Sequence, residues 1–401
     1  MQYTLIDLHY KALLPLTFSR PVSHLLIGMD RVIDKWEEHL GQKPGICTAA
    51  HLSDVYPCSE VAEGIYINAS LIPTNELKLA IEQLPLGAIL AFKGLLLAAH
   101  CTAEQAEALS TAVNKMSEPS TVSLFEERKV YPTAPILLEC PADIFSCNAA
   151  VMAMDFKRIA KNRRTLSFPK GVQTIGEHIF IEEGARLRPC ILNAEQGPIY
   201  ISADAEVMEG SLVRGPFFLG ASSVLKMGAK IYGASTVGAH CKVGGEVTNS
   251  VIHDYSNKGH DGFLGNSVIG SWCNLGADTN TSNLKNNYSQ VRVWDYESKQ
   301  LINSGRQFIG LVMGDHSKAG INTMFNTGTV VGMCCNVYGG GFPKKFIPSF
   351  SWGSAEGFID FDLERAYDMA TAMKSRRGEV FTQSEKKIFH FVYEMEAEHR
   401  A

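Results

Sequence analysis

The sequence predicts an α/β domain, followed by a parallel coil of six-residue rungs and a pair of C-terminal helices. Three observations support this prediction: strand-like and helix-like segments alternate near the start, an aliphatic residue recurs at every sixth position further on, and the end has helical apolar spacing. A chain of 401 residues is too long for one ordinary core. We therefore expect an α/β domain at 1–140, a helical connector at 141–170, the coil at 171–350 and a helical tail at 351–401.

The α/β domain is predicted from strand-like and helix-like segments that alternate along the chain. YTLIDL, GICTAA and GIYINASLI look like strands, whereas SHLLIGMDRVIDKWEEHL has apolar residues at helical spacing. A second helix is predicted in TNELKLAIEQL, where Thr74 can cap the N-terminus. This alternation is typical of an α/β sheet. CPADIFSCNAAVMAMDFKRIAKN then predicts a helical connector.

The coil is predicted by the period of six. From Ile201 to Val243 every sixth residue is aliphatic, with small residues close behind. Neither the helical repeat of about 3.6 residues nor the strand repeat of about 2 explains this period, but a coil of flat six-residue rungs does. The phase has a weaker start at Ile175, resumes at Phe263 and returns from Met313 to Val337.

Two interruptions of this period, Val247 to Gly262 and Thr281 to Phe308, predict loops or insertions that leave the coil. Apolar stripes at 361–376 and 384–396 predict two tail helices that pack against it. The repeat resembles the left-handed parallel β-helix of acyltransferases. That resemblance implies a homotrimer with clefts between neighbouring coils.

Composition excludes several functional classes. The net charge is −5 and no block of Lys or Arg occurs, which argues against nucleic acid or an anionic membrane as partner. The longest apolar run, Leu86 to Ala99, contains Lys93 and is too short to span a bilayer, and no signal peptide is recognised. Ten cysteines without CxxC spacing indicate reduced thiols, hence a cytoplasmic protein without a structural zinc site.

Three motifs carry a more specific resemblance: GGEVTNSVI, KGHDGFLGNSVIG and NLGADTNTSNLKNN. Their order and spacing resemble the bifunctional sugar-1-phosphate enzymes of the GlmU type, which acetylate glucosamine-1-phosphate and uridylylate the product. The resemblance covers roughly 171–350. It implies an N-acetyltransferase that uses acetyl-CoA as co-substrate and an amino-sugar-1-phosphate as acceptor.

The same resemblance implies roles for individual residues. His260 would be the base that deprotonates the acceptor amine, since histidine titrates near neutral pH. Asn274 and Asn283 would hold the sugar and the acetyl group, and Glu246 or Asp261 would orient His260 or the amine. The groups expected to bind acetyl-CoA are those of the later rungs: Gly276, Ala277, Ile321 and Asn322, with Lys344 and Lys345 near its phosphates.

Departures from the family leave the acceptor open. Phe263 stands where the family usually has Tyr, and Leu284 where its bacterial members have Tyr. Candidate cations for the acceptor phosphate are Lys258, Lys285 and Arg292.

The N-terminal resemblance is weaker. LPLTFSRP retains the end of the family's glycine-rich phosphate loop, whereas the upstream LIDLHYKAL has no glycine. Without glycine, main-chain N–H groups cannot approach a triphosphate closely. Arg20 and Lys11 remain as candidate nucleotide ligands, and Mg²⁺ and UTP enter only if this reduced nucleotidyltransferase-like domain is active.

Two other interpretations remain open. One is a non-catalytic trimeric scaffold or regulator that retains the fold with a decayed first domain. The other is a γ-type carbonic anhydrase, which needs three histidines around each zinc ion. The coil region contains His240, His253, His260 and His316, but no closely spaced pair fits that pattern.

Overall fold

The computed structural model describes residues 2–116, 125, 127–161 and 163–400. The chain divides into two compact units. The first comprises residues up to 25 together with 30–140, and the second comprises 26–29 together with 141 onward.

The first unit is built on a mixed six-stranded sheet. Strand Tyr3–Ile6, second from one edge, pairs in parallel with the edge strand Gly45–Cys47 on one side and with Gly64–Asn68 on the other. The sheet order is 45–47, 3–6, 64–68, 95–101, 88–92 and 127–130, in which 95–101 is antiparallel to both of its neighbours. The predicted α/β domain is thereby confirmed.

The helices of this unit are Val32–Leu40, Asn75–Glu82 and Ala103–Asn114, with 3₁₀ turns at 11–13, 22–24 and 50–52. Thr74 accepts a hydrogen bond from Leu77 N, as its predicted capping role requires. The helix predicted within SHLLIGMDRVIDKWEEHL is shorter than expected and begins only at Val32. Gly28 has a φ of 66°, in the left-handed region. Because a right-handed helix requires negative φ, the helix cannot run through Gly28, and the apolar residues before it belong to other elements.

The second unit contains a three-faced coil of parallel strands, in which successive strands move from one face to the next. The first face contains strands 173–175, 191–193, 212–214, 230–232, 246–248 and 263–265, with 280–281 and 324–325 as a further pair. The second face contains 179–181, 199–201, 217–219, 235–237, 251–252, 268–269, 311–313, 329–331 and 346–347. The third face contains 186–187, 206–207, 224–225, 242–243, 257–258, 274–275, 318–319, 336–337, 351–354 and an antiparallel 357–360. The predicted hexapeptide-repeat β-helix is confirmed.

The interior of the coil is an aliphatic column that includes every counted position from Ile201 to Val243. The expected interruption at 247–262 is wrong, because strands 246–248, 251–252 and 257–258 continue the three faces. Shorter corners shift the sequence phase there. As a result Leu264 points inward and is fully buried, whereas Phe263 lies on the outer side. At the start of the coil, Ile175 is also exposed, so this counted position is not an inward one.

The interruption after Thr281 does leave the coil, as predicted. It contains an antiparallel hairpin of strands Arg292–Asp295 and Gln300–Asn303, and the coil resumes at Leu311. Inserting the hairpin between two turns keeps the aliphatic column continuous on either side of it.

Helices cover part of the coil. Helix Pro141–Ile159 lies against the second face, where Asn148 Nδ2 donates to Ala234 O (2.9 Å) and to Thr236 Oγ1 (3.1 Å). The tail helices are Leu363–Ser375 and Gln383–Met395, followed by a short helix Ala397–Arg400. Their predicted packing on the coil is confirmed, since Phe389 meets the His316 ring edge to face at 5.0 Å. Among the described residues, no helix has the length and apolar character needed to cross a bilayer.

Candidate functional site

His260 lies on the corner that joins the third face to the first face. It stands between strands Asn257–Lys258 and Phe263–Gly265 and is exposed. The corner turns sharply at Gly262, where φ is 110° and a Cβ would lie 2.3 Å from Thr279 O. Within the described part of the chain the imidazole has no hydrogen-bond partner, so a substrate can reach it.

The residues predicted to bind acetyl-CoA lie on the same corner, one and two turns further along the coil. Gly276 and Ala277 follow the next third-face strand, and Ile321 and Asn322 follow the one after it. Asn322 N donates to Ala277 O (2.8 Å), which joins the two turns directly, and Ile321 is 69% exposed. The coil therefore places the predicted base and the predicted donor groups along one edge.

Lys258 occupies an inward position that the repeat reserves for an aliphatic residue. It pairs in register with the buried Val243 and is only 1% exposed. Its ammonium donates to His260 O (2.5 Å) and to Asp261 O (2.8 Å). Burial lowers its pKa to about 8, although Asp261 and Asp278 oppose this shift. Because the ammonium is engaged from inside the coil, this geometry favours support of the His260 corner over the phosphate contact expected from the sequence.

Phe263 and Asn283 meet over Gly265 on the first face. A Cβ on Gly265 would lie 2.6 Å from Phe263 Cζ and 2.7 Å from Asn283 Nδ2. Asn283 Nδ2 also donates to Asn266 Oδ1 (2.8 Å), and Phe263 N donates to Asn280 Oδ1 (2.8 Å). Asn280 was not predicted from the sequence.

Replacing Gly265 by alanine is therefore expected to displace Phe263 or Asn283. We expect a destabilisation of about 1–3 kcal/mol from overpacking, together with a lower rate of the acetyl transfer that the sequence predicts. Thermal unfolding and steady-state kinetics measure both effects. Gly340→Ala is the matched control, since nothing lies within 4 Å of a Cβ there. If the two variants behaved alike, the contact over Gly265 would have no functional role.

Glu246 lies one turn before Phe263 on the outer side of the first face, in register with both Phe263 and Lys230. Its carboxylate accepts a hydrogen bond from Tyr232 Oη (2.6 Å), which raises the pKa of Tyr232 to about 12. This hydrogen bond pairs Glu246 with Tyr232 on the same face, so it gives no support to the predicted role of Glu246 in orienting His260.

Glu246, Tyr232 and Lys230 line a cavity of about 590 Å³ on the first face, which also includes Arg214 and Asn193. This volume falls in the usual range for small-molecule sites. The sequence interpretation missed Lys230. Lys230 could have been found from its distance to Glu246, which corresponds to one turn of the coil. Only the observed register, however, shows that both side chains point outward.

Asn274 lies on a different face from Asn283. It is exposed on the third face, in register with Asn257 and Lys318, whereas Asn283 follows the first-face strand 280–281. The two asparagines therefore lie on opposite sides of the corner that carries His260. Within one chain they do not share a single face.

The candidate nucleotide residues lie in the first unit. Lys11 is exposed in a 3₁₀ turn, and Arg20 is 9% exposed. At the end of strand Tyr3–Ile6, Asp7 Oδ2 accepts hydrogen bonds from Thr48 Oγ1 (2.5 Å) and Val22 N (3.1 Å), and burial raises the pKa of Asp7 to about 7. In the position after this strand, where a glycine-rich phosphate loop would offer main-chain N–H groups, the chain has the carboxyl group of Asp7.

Of the four histidines of the carbonic anhydrase interpretation, three follow second-face strands (His240, His253 and His316), whereas His260 follows a third-face strand. His240 and His316 belong to a stack with Tyr255 and Trp272 on the corner between the second and third faces, away from His260. Within the described ranges, no group of three or more His, Cys, Asp or Glu side chains is arranged to hold a metal ion. All ten cysteines are free thiols.

The fold and the corner carrying His260 define a hexapeptide-repeat β-helix protein with an added α/β unit. The model of the sugar nucleotidyl transferase family matches residues 6–164. The bifunctional sugar-1-phosphate nucleotidylyltransferase/acetyltransferase of Sulfurisphaera tokodaii is 31% identical over 36% of this chain and 36% of its own length. The bifunctional protein GlmU of Methanocaldococcus jannaschii is 34% identical over 30% of this chain and 24% of its own length.

The chain thus resembles the bifunctional GlmU-type proteins, although it spans only about a quarter to a third of the length of these two relatives. Among solved structures, the polySia-specific acetyltransferase NeuO matches 47% of this chain and 85% of its own (16% identity, TM-score 0.29). The Arabidopsis UDP-N-acetylglucosamine acyltransferase matches 58% and 93% (14% identity, TM-score 0.24).

Proposed function

We propose that the protein transfers the acetyl group of acetyl-CoA to the amine of an amino-sugar-1-phosphate, with glucosamine-1-phosphate as the first acceptor to test. The observation that carries this proposal is the arrangement of residues along the corner between the third and first faces. An exposed histidine lies in line with Gly276–Ala277 and Ile321–Asn322, beside a face that presents Glu246 and Phe263.

The reaction needs a base, a hydrogen-bond donor for the developing oxyanion, and groups that orient the acceptor. His260 takes the proton as the acceptor amine attacks the thioester carbonyl. The tetrahedral intermediate then collapses to the amide with cleavage of the C–S bond, and the departing coenzyme A thiolate takes the proton from the imidazolium. Gly276 N is engaged with Ala319 O (2.9 Å), whereas Ala277 N has no acceptor among the described residues. Ala277 N–H is therefore the donor we assign to the developing oxyanion. Lys230 supplies a positive charge on the acceptor side, in register with Glu246.

We also propose a homotrimer. Asn274 and Asn283 lie on opposite sides of the His260 corner, so a cleft between two coils can combine groups that one chain keeps apart. Sedimentation equilibrium tests this: a mass three times that of one chain supports the proposal, and a monomer contradicts it.

The activity test measures thiol release from acetyl-CoA with glucosamine-1-phosphate and other amino-sugar phosphates. Thiol release that depends on the acceptor supports the proposal. If no amino-sugar phosphate gives it, acetyl transfer is wrong and the scaffold interpretation gains support.

A second candidate is nucleotidyl transfer by the first unit, favoured by the family match over residues 6–164. The missing glycines and the carboxyl group of Asp7 weigh against a tightly held triphosphate. Pyrophosphate release from UTP and N-acetylglucosamine-1-phosphate, assayed with Mg²⁺, would assign this reaction to the first unit. Its absence would leave acetyl transfer alone.

A further inference from the structure

A cavity of about 650 Å³ lies at the corner between the first and second faces of the coil. Three parts of the second unit border it: the helix Pro141–Ile159, the corner residues that follow first-face strands, and the end of the insertion that leaves the coil after Thr281. Its volume falls within the range of about 300–1,000 Å³ that is usual for small-molecule sites. It is called the corner cavity below.

Two asparagines at consecutive corners offer unused hydrogen-bond donors to the corner cavity. Asn249 Oδ1 accepts from Ala234 N (3.0 Å), and Asn266 Oδ1 accepts from Asn283 Nδ2 (2.8 Å). Both asparagines line the cavity and are half-buried, yet neither Nδ2 group has an acceptor in the described part of the chain. An amide nitrogen held in this way can donate to a ligand without giving up an existing hydrogen bond.

The insertion supplies a complementary acceptor. Gln307 Nε2 donates to Tyr288 O (2.8 Å), and across the described residues its Oε1 receives no hydrogen bond. Gln307 lines the cavity from the side opposite to the helix that ends at Ile159 in sequence order, since it belongs to the insertion. The corner cavity therefore combines free donors from the coil with a free acceptor from the insertion.

The charge at the corner cavity is balanced. Arg306 lines it, but its guanidinium donates to Asp143 Oδ1 (2.5 Å) on the helix Pro141–Ile159. Among the described lining residues there is no other charged side chain. Lys285 and Arg292, the candidate phosphate ligands on the same insertion, do not line the cavity. The cavity thus has no excess charge that would attract an anion.

Aromatic side chains provide the apolar part of the lining. Phe145 is 5% exposed on the helix, whereas Phe308 is 46% exposed at the end of the insertion. An exposed ring beside free carboxamide groups can cover the apolar face of a ligand while the carboxamides bind its polar edge.

We propose that the corner cavity binds an uncharged saccharide. Each sugar hydroxyl both donates and accepts, which matches the free Nδ2 groups and the free Oε1, and the C–H face of a sugar ring matches Phe308. The cavity lies at the opposite edge of the first face from the His260 corner, about 10 Å away across a three-residue strand. Neither His260 nor Asn283 lines it, so the inference does not depend on the acetyl transfer proposed above.

The test measures saccharide binding by ligand-observed NMR on the full chain, without acetyl-CoA. The probes are N-acetylglucosamine, methyl β-glucoside and the β-1,4-linked disaccharide of N-acetylglucosamine. We expect Ala149→Trp to weaken binding about tenfold or more, because the indole would fill the cavity from the helix. Ala150→Trp is the matched control, since Ala150 is also exposed on this helix but does not line the cavity.

A second variant tests the carboxamide. Asn249→Gly removes the free donor and tolerates the left-handed φ of 43° at this corner. We expect about tenfold weaker binding, which corresponds to the loss of one hydrogen bond. Asn326→Gly is its control, because Asn326 is exposed after the first-face strand Met324–Phe325 and lies outside the lining. Thermal unfolding verifies that each variant is folded.

The disaccharide distinguishes two sources of the sugar. If it binds more tightly than the monosaccharide and Ala149→Trp removes that advantage, the cavity takes a further ring of the acceptor. Equal binding of the two, lost in the same variant, assigns a separate sugar. The inference is overturned if no uncharged saccharide binds wild type, or if Ala149→Trp and Ala150→Trp bind alike. Saccharide binding by a protein that transfers no acetyl group would overturn the proposed function alone.

Discussion

Replacing His260 by alanine is expected to lower kcat for acetyl transfer by about 10²–10⁴-fold, the usual contribution of a general base. The acceptor amine would then lose its proton to water rather than to a positioned imidazole. The melting temperature should hardly change, because the His260 side chain is exposed and makes no hydrogen bond within the described residues. Steady-state kinetics and thermal unfolding measure the two quantities separately.

His390→Ala provides the matched control for this variant. His390 is also exposed, but it lies on the tail helix Gln383–Met395. We expect wild-type kinetics from it. An equal loss of activity in both variants, or full activity in His260→Ala, would remove His260 from the reaction.

Replacing Lys258 by methionine is expected to lower kcat by about tenfold or more while leaving the KM for the acceptor nearly unchanged. Methionine fits the apolar interior but cannot donate to the carbonyl oxygens of His260 and Asp261, so the corner would lose its internal support. Lys258 is thus a positioning residue, and its removal changes the geometry of the base rather than the binding of the acceptor.

Lys318→Met is the matched control for Lys258→Met. Burial also lowers the pKa of Lys318 to about 8, but its ammonium donates to His316 O on a different corner (2.5 Å). We expect Lys318→Met to retain kcat. If Lys258→Met also retained kcat, or if its main effect were on KM, the positioning role would be wrong.

The depressed pKa of Lys258 also predicts a dependence of stability on pH. Below pH 8 both the folded and the unfolded chain hold the proton, and the folded state bears the full cost of a buried charge. Between pH 8 and the ordinary value of 10.5, the unfolded state holds the proton more strongly. The stability of wild type relative to Lys258→Met should therefore rise by about 1–3 kcal/mol over this interval. Chemical denaturation at successive pH values measures the difference, and a constant difference would contradict it.

The period of six was sufficient to predict the coil, because an inward position tolerates little except an aliphatic side chain. The prediction failed between Val247 and Gly262, since corners of different length shift the phase without ending the coil. It also assigned Phe263 to the interior, although Leu264 points inward. Neighbouring residues of a strand point to opposite sides, so a count that is wrong by one residue predicts a buried side chain where the side chain is exposed.

The site could be predicted only in part. The motif identified His260 together with the residues of the following corners, and the coil stacks them along one edge because successive strands lie about 4.8 Å apart. Lys230 was missed, since its partner Glu246 is one turn away in space but sixteen positions away in sequence. The roles of the site residues remain predictions that the variants above address.

The sequence by itself determined the architecture, because repeated inward aliphatic residues and helical apolar stripes are local patterns that burial enforces. It also selected His260 as the candidate base, through a motif of fixed spacing. Only the tertiary structure decided where the charges lie. It placed the Lys258 ammonium inside the coil beneath His260, and it paired Arg306 of the insertion with Asp143 of the helix Pro141–Ile159. Charges interact through distance in space, and the stacking of turns, rather than the order of residues, determines that distance.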